Sequence, residues 1–442
     1  MSDAENVSGV DSREKTKLWL EDILQTYYAK KSKSPPLRPD QVPITILDFD
    51  IGPGFTVGAG EGPVSTLSDL LSLHVRYKMT PDSNEEKTEN LLVKIPPNDP
   101  NDREMAQMAQ VDRREIHFYT DALPQLEEWS KTRNADIKLA VPRCYFAKYH
   151  TQPAADGQGE DDMSLVSDAE SVLVLEDMRP VGFSMRDFNN GLSLEEAHAA
   201  LGRIAVVHSL SWAMQEVTGI PLDETWELTY RPHKAASAYK TMIEHGFPTL
   251  SHFLERQEPD GKEILGKLQA LHPRATELLY ELLKPPPPPA PACLTHMDFW
   301  CNNLLFKKTT GGKNSKGAIS NGSASSGAEE DPECLILDWQ MMAISRPTHD
   351  VALLLFTSLT PETRSAHTES LLSHYWNVFQ DTASKVGVEL PFDFGVIENE
   401  FKKSQLLALL LVIGSIDLAL DSAGTEQRLI HALRDMAKGD LI

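Results

Sequence analysis

Two patterns of hydrophobic positions follow one another along the chain. In its first part, short apolar runs of strand length predict five strands, at residues 44–51, 66–77, 91–95, 142–149 and 171–175. The first two runs flank a glycine-rich stretch, which predicts a hairpin.

Apolar residues at helical spacing predict two amphipathic helices among these strands. The first helix, at residues 17–28, follows a disordered start and ends at a proline-rich linker. The second helix is predicted over residues 103–126.

From Met178 onwards the pattern is helical. Ser193, followed three positions later by Glu196, predicts a capping box in front of a helix at residues 197–215. Further helices are predicted at residues 234–256 and 262–283. The prolines at 285–289 cannot continue a helix and predict extended polyproline.

The predicted fold class is α+β, with a strand-rich N-terminal lobe and a mainly helical C-terminal lobe. The domain limits are set at residues 1–40 for an N-terminal tail and helix, 41–175 for the first lobe and 176–442 for the second. Within the second lobe, residues 307–333 form a Gly-, Ser- and Asn-rich insert with the composition of a mobile surface loop. A further apolar run, 406–416, is too short to cross a bilayer and predicts a buried helix.

Charge and cysteine usage narrow the class of protein. The chain has 42 Lys and Arg against 65 Asp and Glu, a net charge of −23, so nucleic acid and anionic membranes are disfavoured as partners. Its four cysteines show no CxxC pairing, which favours a reducing compartment. The polar, acidic N-terminus does not resemble a secretory signal, so a cytoplasmic protein without a membrane span is expected.

An aspartate-centred motif lies at residues 296–303, where His296, Asp298 and Asn303 have the spacing H-x-D-x-x-x-x-N. After the insert, an apolar strand ends at Asp338. Phosphoryl transfer needs one carboxylate to orient the acceptor hydroxyl and take its proton, and an asparagine and a second carboxylate to bind Mg²⁺. Taken singly, each aspartate also suits a surface or capping position, and a zinc site lacks further Cys or His at ligand spacing.

Upstream of this motif come a glycine-rich turn, a strand lysine and a helix glutamate, in that order. The turn contains Gly58, Gly60 and Gly62, whose backbone N–H groups can approach phosphates. Lys94 lies between apolar strand residues, so its charge needs a partner, and Glu115 is the candidate. A flexible turn and a solvated edge lysine are the ordinary alternatives, but the order of all the elements favours a phosphotransferase.

At this point the sequence resembles a known family. The segments VLVLEDM at 172–178, HMDFWCNNLLF, ILDWQ and RREIHFYTDALPQL are similar to the CHK kinase-like, or ecdysteroid kinase-like, branch of the aminoglycoside and choline phosphotransferase superfamily. The resemblance covers about residues 44–420 and implies a bilobal protein-kinase-like fold that uses ATP and Mg²⁺.

The resemblance also implies a role for each motif residue. Asp298 would be the catalytic base, Asn303 and Asp338 the Mg²⁺ ligands, and Lys94 with Glu115 the pair that anchors the ATP phosphates. Residues 175–178 form the implied hinge between the lobes, where backbone groups meet adenine; Glu176 and Asp177 carry it by motif position, and Met178 ends it.

The chain departs from the family pattern at a few positions. Met297 stands where Gly is more usual, Trp339 stands where Phe is common, and the insert after Lys307 is long. The glycine-rich segment is a loose match. None of these departures removes a catalytic side chain, so an active enzyme is expected.

The spacing after Asp338 points to a small acceptor. Asp350 follows after only eleven residues and opens a helical run, which leaves no room for a protein-kinase activation segment. We interpret Asp350 as bracing the catalytic loop, and His208, inside an apolar helix, as a core histidine.

Three possibilities remain for the function: a kinase with either of two kinds of acceptor, or a scaffold that binds a nucleotide. The resemblance suggests a lipophilic, steroid-like alcohol as acceptor, whereas a choline- or aminoglycoside-type acceptor would suit an acidic cleft. A nucleotide-binding scaffold without turnover, offering the proline run to SH3- or WW-type domains, is the other class.

Overall fold

The structure is a computed structural model that describes residues 4–31, 44–54, 68–149, 171–226, 232–308, 332–439 and 441–442. It divides into two units. Unit 1 comprises Met1–Ala122 and Pro142–Gly182, and unit 2 comprises Leu123–Val141 and Phe183–Ile442. The domain limits inferred from the sequence stay predictions.

Unit 1 is built on one antiparallel sheet of five strands. The strands are β1 Thr45–Pro53, β2 Asp69–Lys78, β3 Lys87–Ile95, β4 Cys144–Tyr149 and β5 Ser171–Glu176, in the order β1-β2-β3-β5-β4. All five were expected from the sequence, and the pairing of β1 with β2 confirms the hairpin.

One face of this sheet is covered by an N-terminal helix. Leu91, Val93 and Ile95 of β3 point to the face that packs against helix α1, Ala4–Lys31, which contributes residues such as Leu24 to the core. The helix was expected to start at residue 17 after a disordered segment, and this was wrong because it begins at Ala4.

A half-buried carboxylate fastens α1 to the sheet. Glu89 on β3 accepts hydrogen bonds from the hydroxyl groups of Tyr28 at 2.8 Å, Tyr145 at 2.6 Å and Tyr77 at 3.3 Å. Burial raises the pKa of Tyr145, and the hydrogen bond that its hydroxyl group donates to Glu89 raises it further. The helix is thus held by both apolar and polar contacts.

The helix expected over residues 103–126 is broken in the structure. Its parts are α2 Pro100–Ala109, α3 Val111–His117, a π-helical turn Phe118–Ala122 and α4 Leu123–Thr132, the last of which belongs to unit 2. Gln110 has a φ of +52°, a left-handed conformation that ends α2 and redirects the chain into α3.

Unit 2 is mainly helical. After α4, its helices are α5 Leu194–Thr218, α6 Leu222–Thr225, α7 Ala236–Glu255, α8 Gly261–Leu271, α9 Ala275–Leu283, α10 Thr348–Ser358, α11 Pro361–Lys385, α12 Phe394–Gly414, α13 Ile416–Ala419 and α14 Ala423–Lys438. The capping box of α5 is present, since Glu196 N–H donates to Ser193 Oγ and Ser193 N–H donates to Glu196 Oε2. The strand-rich and helical parts confirm the predicted fold class.

Two expectations for this unit were wrong in detail. The helix predicted at 262–283 is interrupted by a 3-10 turn, His272–Arg274, because Pro273 lacks an N–H for the helical ladder. The proline run does not continue as extended polyproline throughout, since Pro288 and Pro289 lie in a turn and share a cis peptide bond.

The apolar run at 406–416 lies largely inside α12, where Leu409, Leu410 and Ile413 are buried, as expected. Among the described helices, none combines the length and the apolar character needed to cross a membrane.

Two short ribbons in unit 2 set the positions of the motif residues. Strand β6, Cys293–Thr295, pairs with β9, Ala343–Ser345, and strand β7, Leu304–Lys307, pairs with β8, Glu333–Ile336. The segment 296–303 connects β6 to β7, and Asp338 follows β8. The backbone N–H of Leu337 donates to the carbonyl of Asn303 at 2.9 Å, which ties the end of β8 to the end of this loop.

Candidate active site

The loop at 296–303, here called the catalytic loop, is closed by its own asparagine. Asn303 Nδ2 donates to the backbone carbonyl of Asp298 at 2.8 Å and to its Oδ2 at 2.9 Å. These two bonds fix the orientation of the Asp298 carboxylate and leave the Asn303 amide oxygen for another partner.

His296 joins the catalytic loop to the segment that carries Asp338. Its Nε2–H donates to the carbonyl of Leu337 at 2.7 Å, and its Nδ1 accepts from the backbone N–H of Asp298 at 3.2 Å. Both ring nitrogens are therefore engaged in holding the loop, which is a structural use of this histidine.

Two backbone positions in the site have the left-handed conformation. Met297 has a φ of +66° and Asp338 a φ of +62°. Such a conformation costs an L-residue about 1 kcal/mol relative to glycine and is concentrated at functional sites. It also explains why glycine is the more usual residue at the position of Met297.

Burial raises the pKa of Asp298 above its ordinary value, and the nearby carboxylate of Asp338 acts in the same direction. His296, Asn303 and the indole of Trp300 act against this rise in the Asp298 pKa. A carboxylate with a raised pKa is a better proton acceptor, as a general base requires.

Asp350 braces the catalytic loop from the first turn of α10. Its Oδ2 accepts from the His296 backbone N–H at 2.7 Å and its Oδ1 from the Met297 backbone N–H at 2.8 Å. Although burial alone would raise it, hydrogen bonds from His208 and the loop hold the Asp350 pKa below its usual range. The interpretation of Asp350 as a brace is confirmed.

His208 of α5 is the third donor to Asp350. Its Nε2 lies 3.0 Å from Asp350 Oδ2, and its Nδ1 lies 2.9 Å from the hydroxyl oxygen of Tyr375 on α11. All three side chains are fully buried. His208 is a satisfied core histidine, as expected, but sequence reasoning missed Tyr375.

A second buried histidine, His349, makes the stability of the fold sensitive to acid. Burial, aided by the charge of Arg346, lowers its pKa to about 3, while its unfolded value is near 6.5. Between about pH 6.5 and pH 3, His349 takes up a proton in the unfolded chain but not in the folded one. The free energy of unfolding therefore decreases as the pH is lowered. We expect His349 to contribute about 2 kcal/mol of the loss in unfolding free energy between pH 7 and pH 5.

The measurement is urea unfolding of wild type and His349→Asn at both pH values. Between pH 7 and pH 5, the unfolding free energy of His349→Asn should decrease by about 2 kcal/mol less than that of wild type. This difference does not depend on how stable the variant is at pH 7. His252→Asn removes an exposed histidine and is the matched control. Equal losses in wild type and His349→Asn would contradict a buried neutral His349.

In unit 1, the predicted partner of the strand lysine is present. Lys94 Nζ lies 2.6 Å from Glu115 Oε2, and the side chains are 16% and 2% exposed, respectively. Glu115 lies on α3, so the left-handed turn at Gln110 sets the direction of the helix that presents it. The charge of Lys94 is thus paired, and the lysine side chain as a whole retains partial exposure.

A shallow pocket lies on the same face of the sheet as Lys94. Side chains two apart on a strand share a face, and the register places Ser72 opposite Leu92 and His74 opposite Asn90. Ser72, His74 and Asn90, with Gly52 of β1, border a pocket of about 260 Å³. His74 Nδ1 donates to Asn90 Oδ1 at 2.7 Å within it.

The segment after β5 borders this pocket and is held by its neighbours. The backbone N–H of Glu176 donates to the Arg143 carbonyl at 2.8 Å, and that of Asp177 donates to the Asn90 carbonyl at 2.8 Å. The Asp177 carboxylate, which lines the pocket, pairs with Arg179 at 2.6 Å. Sequence reasoning placed Glu176, Asp177 and Met178 in this segment but missed the pairing of Asp177 with Arg179, for which the opposite charges two positions apart were a signal.

Some of the expected site residues lie outside the described part of the chain. Gly58, Gly60 and Gly62 fall in the undescribed segment 55–67, and most of the insert falls in segment 309–331.

The structure therefore brings together Asp298, Asn303 and Asp338 in unit 2, and Lys94 with Glu115 in unit 1. Within the described residues, no cluster of three or more His, Cys, Asp and Glu side chains could hold a metal ion. One amide oxygen and one carboxylate nonetheless suit Mg²⁺, which takes few protein ligands when phosphate oxygens supply the rest.

Comparison with known families identifies the chain. The model of the ecdysteroid kinase-like family matches residues 65–319, more than half of the sequence, and the chain belongs to this family. It is a family of small-molecule kinases, so the predicted family and the predicted enzyme class are confirmed at that level. Kinases of this kind generally use ATP and a divalent metal ion.

A second family model, described as uncharacterized oxidoreductase dhs-27, matches residues 291–440. Among curated proteins no match was found.

Solved structures similar to this chain include three kinases. The Plasmodium vivax ethanolamine kinase is 10% identical, with 96% of this chain and 89% of that chain covered and a TM-score of 0.38. The choline kinase from Cryptosporidium parvum Iowa II is 10% identical, with 89% and 91% covered and a TM-score of 0.40. A microcompartment-associated aminopropanol kinase is 11% identical, with 84% and 93% covered and a TM-score of 0.33.

Proposed function

We propose that this protein transfers the γ-phosphoryl group of ATP to a hydroxyl group of a lipophilic, steroid-like alcohol. The observation that carries the proposal is the arrangement of Asp298, in which Asn303 orients the carboxylate and Asp350 braces the loop behind it. The steroid-like acceptor is supported by the description of the matching family, which names ecdysteroids.

Asp298 acts as the base in this proposal. The acceptor hydroxyl donates its hydrogen to the carboxylate, which orients the oxygen for attack on the γ-phosphorus and takes the proton as the new P–O bond forms. In the same step the bond between the γ-phosphorus and the β,γ-bridging oxygen breaks, and ADP leaves with that oxygen. Burial and the neighbouring Asp338 raise the pKa of Asp298 and favour its acceptance of this proton. Asn303 supports the step by fixing the carboxylate.

The metal ligands are Asn303 and Asp338. Bound Mg²⁺ supplies positive charge to the phosphate oxygens of ATP. Asn303 uses its amide nitrogen on Asp298 and offers its oxygen to the metal, so a single side chain couples the base to the metal site. The left-handed backbone at Asp338 directs the second ligand.

Unit 1 supplies the nucleotide anchor. Lys94 neutralises phosphate charge, and Glu115 holds the ammonium group at 2.6 Å so that less side-chain freedom is lost on binding. The segment with Glu176 and Met178, beside the pocket on the Lys94 face, meets the base of ATP through its backbone. Gly58, Gly60 and Gly62 are proposed to approach the phosphates.

The test is an assay of ATP consumption by the purified protein with Mg²⁺ and a panel of alcohols. The panel contains ecdysteroids and other sterols, choline and ethanolamine, and aminoglycosides, and each product is identified by mass. Phosphorylation of the sterols alone supports the proposal. Turnover with choline, ethanolamine or an aminoglycoside alone would overturn the proposed acceptor, and Mg·ATP binding without turnover would favour the scaffold alternative.

Replacing Lys94 tests the nucleotide anchor. We expect Lys94→Met to lower kcat/KM for ATP about 10- to 100-fold, because a charge-assisted contact to phosphate is lost. Glu115→Gln should lower it less, since the amide oxygen still accepts a hydrogen bond from Lys94. Lys87→Met, on the same strand, is the matched control and should leave kcat/KM unchanged.

Stability separates this role from a purely structural one. Lys94→Met leaves the buried Glu115 carboxylate without its cation, and adding Glu115→Gln should restore the unfolding free energy but not the activity. If the double variant regained wild-type kcat/KM, Lys94 would have no role in binding ATP.

A further inference from the structure

Trp300 lies in the catalytic loop two positions after the proposed base. Its indole Nε1 is buried, and no acceptor among the residues that the structure describes meets the geometry of a hydrogen bond with it. A buried N–H without an acceptor is destabilising, and such groups are uncommon unless they serve a function. The indole nonetheless interacts with Asp298 as a donor to its carboxylate.

The Trp300 ring is held edge-on against Phe188. The ring centroids are 5.1 Å apart and the planes lie at 88°. Phe188 follows the turn after β5 and precedes α5, so the contact joins two segments of unit 2 that are more than 100 positions apart. The orientation of the indole therefore depends on a residue outside the catalytic loop.

Arg428 of α14 holds Phe188 in turn. Its guanidinium lies 4.5 Å from the centroid of the Phe188 ring and donates through Nη2 to the Phe188 carbonyl and through Nη1 to the Thr357 carbonyl at 2.8 Å. The arginine is only 4% exposed, and no described carboxylate lies within ion-pair distance of it. Burying a cation whose partners are an aromatic ring and two carbonyl groups costs solvation free energy. In return, these contacts hold Phe188 and its backbone in place.

We propose that Trp300 is a positioning residue for the base, and that Phe188 and Arg428 aim its indole N–H at the Asp298 carboxylate. Hydrogen bonds of a catalytic site are often long without substrate and shorten when the reactants are bound. In the bound enzyme the Trp300 N–H completes its bond to Asp298, beside the bond from Asn303. This inference rests on the proposed role of Asp298.

The test compares Trp300→Phe, which keeps the ring and removes only the N–H, with wild type. We expect kcat to fall about tenfold or more, the range for losing a hydrogen bond to a charged group, while KM for ATP and the melting temperature stay unchanged. Trp376→Phe, in an aromatic cluster of the same unit, is the matched control and should leave kcat unchanged. A kcat of Trp300→Phe within twofold of wild type would overturn the inference.

A double-mutant cycle tests the link to Phe188. Phe188→Leu removes the ring that orients the indole and should lower kcat severalfold in a folded protein, since Phe188 is only half-buried. If Phe188 acts through Trp300, the double variant should be no slower than Trp300→Phe alone. Effects that multiply instead would show that Phe188 does not position Trp300.

Asp298→Asn, assayed beside them, separates the two proposals. If it turns over like wild type, the assignment of the base fails and the role of Trp300 falls with it. If Asp298→Asn is inactive while Trp300→Phe is fully active, only the further inference fails.

Discussion

Asp298→Asn should lower kcat by about 10²- to 10⁴-fold, the contribution of a positioned general base. The substituted amide cannot take the proton of the acceptor hydroxyl, but its oxygen still accepts the hydrogen bond that Asn303 donates to Asp298 in wild type. Because burial already disfavours the charged carboxylate, a neutral amide fits the site, and the melting temperature should not fall. The measurement is single-turnover phosphorylation of the best acceptor, alongside Mg·ATP binding by calorimetry.

The comparison of binding with turnover makes this prediction specific. Binding of Mg·ATP should be equal or slightly tighter in Asp298→Asn, because one negative charge near the phosphates is removed. Asp421→Asn, an exposed aspartate of unit 2, is the control and should match wild type in both measurements. Turnover by Asp298→Asn at more than a tenth of the wild-type rate would show that Asp298 is not the base.

Much of the fold was predictable because its signals are local. Short apolar runs gave all five strands of unit 1, and Ser193 with Glu196 gave the start of α5. The break at Gln110 was not predictable from the residue type, since a glutamine with a φ of +52° is set by tertiary packing. The break after α8 did have a signal, because Pro273 lies inside the apolar periodicity of the predicted helix.

The candidate site, like the fold, has some features that the sequence predicts and others that it does not. The pairing of Lys94 with Glu115 could be predicted because a charge in an apolar strand requires a partner, and Glu115 is the helix glutamate that follows the strand in the order typical of a phosphotransferase. The contacts of His208 to Asp350 and to Tyr375 span 142 and 167 positions, and no local pattern connects them. The residues that support the catalytic loop come together through tertiary packing, so sequence spacing alone does not reveal them.

The arrangement of unit 2 links stability to the geometry of the base. Asp350 accepts hydrogen bonds from two consecutive backbone N–H groups of the catalytic loop, one of which belongs to Met297 in its left-handed conformation. The carboxylate thus offsets the cost of the left-handed backbone at Met297, one residue before Asp298. The same residue that stabilises the fold therefore positions the loop that carries the proposed base.

Asp350→Ala should lower the unfolding free energy by about 3–5 kcal/mol, the range for breaking a buried charged network from one side. The change leaves the backbone N–H groups of His296 and Met297 and one ring nitrogen of His208 without their acceptor, in a site with no solvent exposure. Asp350→Asn keeps an acceptor oxygen and should lose less, about 1–3 kcal/mol. Urea unfolding at pH 7 measures both values.

Kinetics at low temperature, where Asp350→Asn stays folded, test the second half of this prediction. With the loop held less firmly, kcat should fall while KM for ATP stays near wild type, because the proposed nucleotide anchor, Lys94 with Glu115, is in unit 1. Asp381→Ala removes an exposed aspartate of α11 and should change stability by no more than about 0.5 kcal/mol. A stable Asp350→Ala variant with wild-type kcat would mean that the catalytic loop keeps its geometry without the brace, and that the strain at Met297 is held by other contacts.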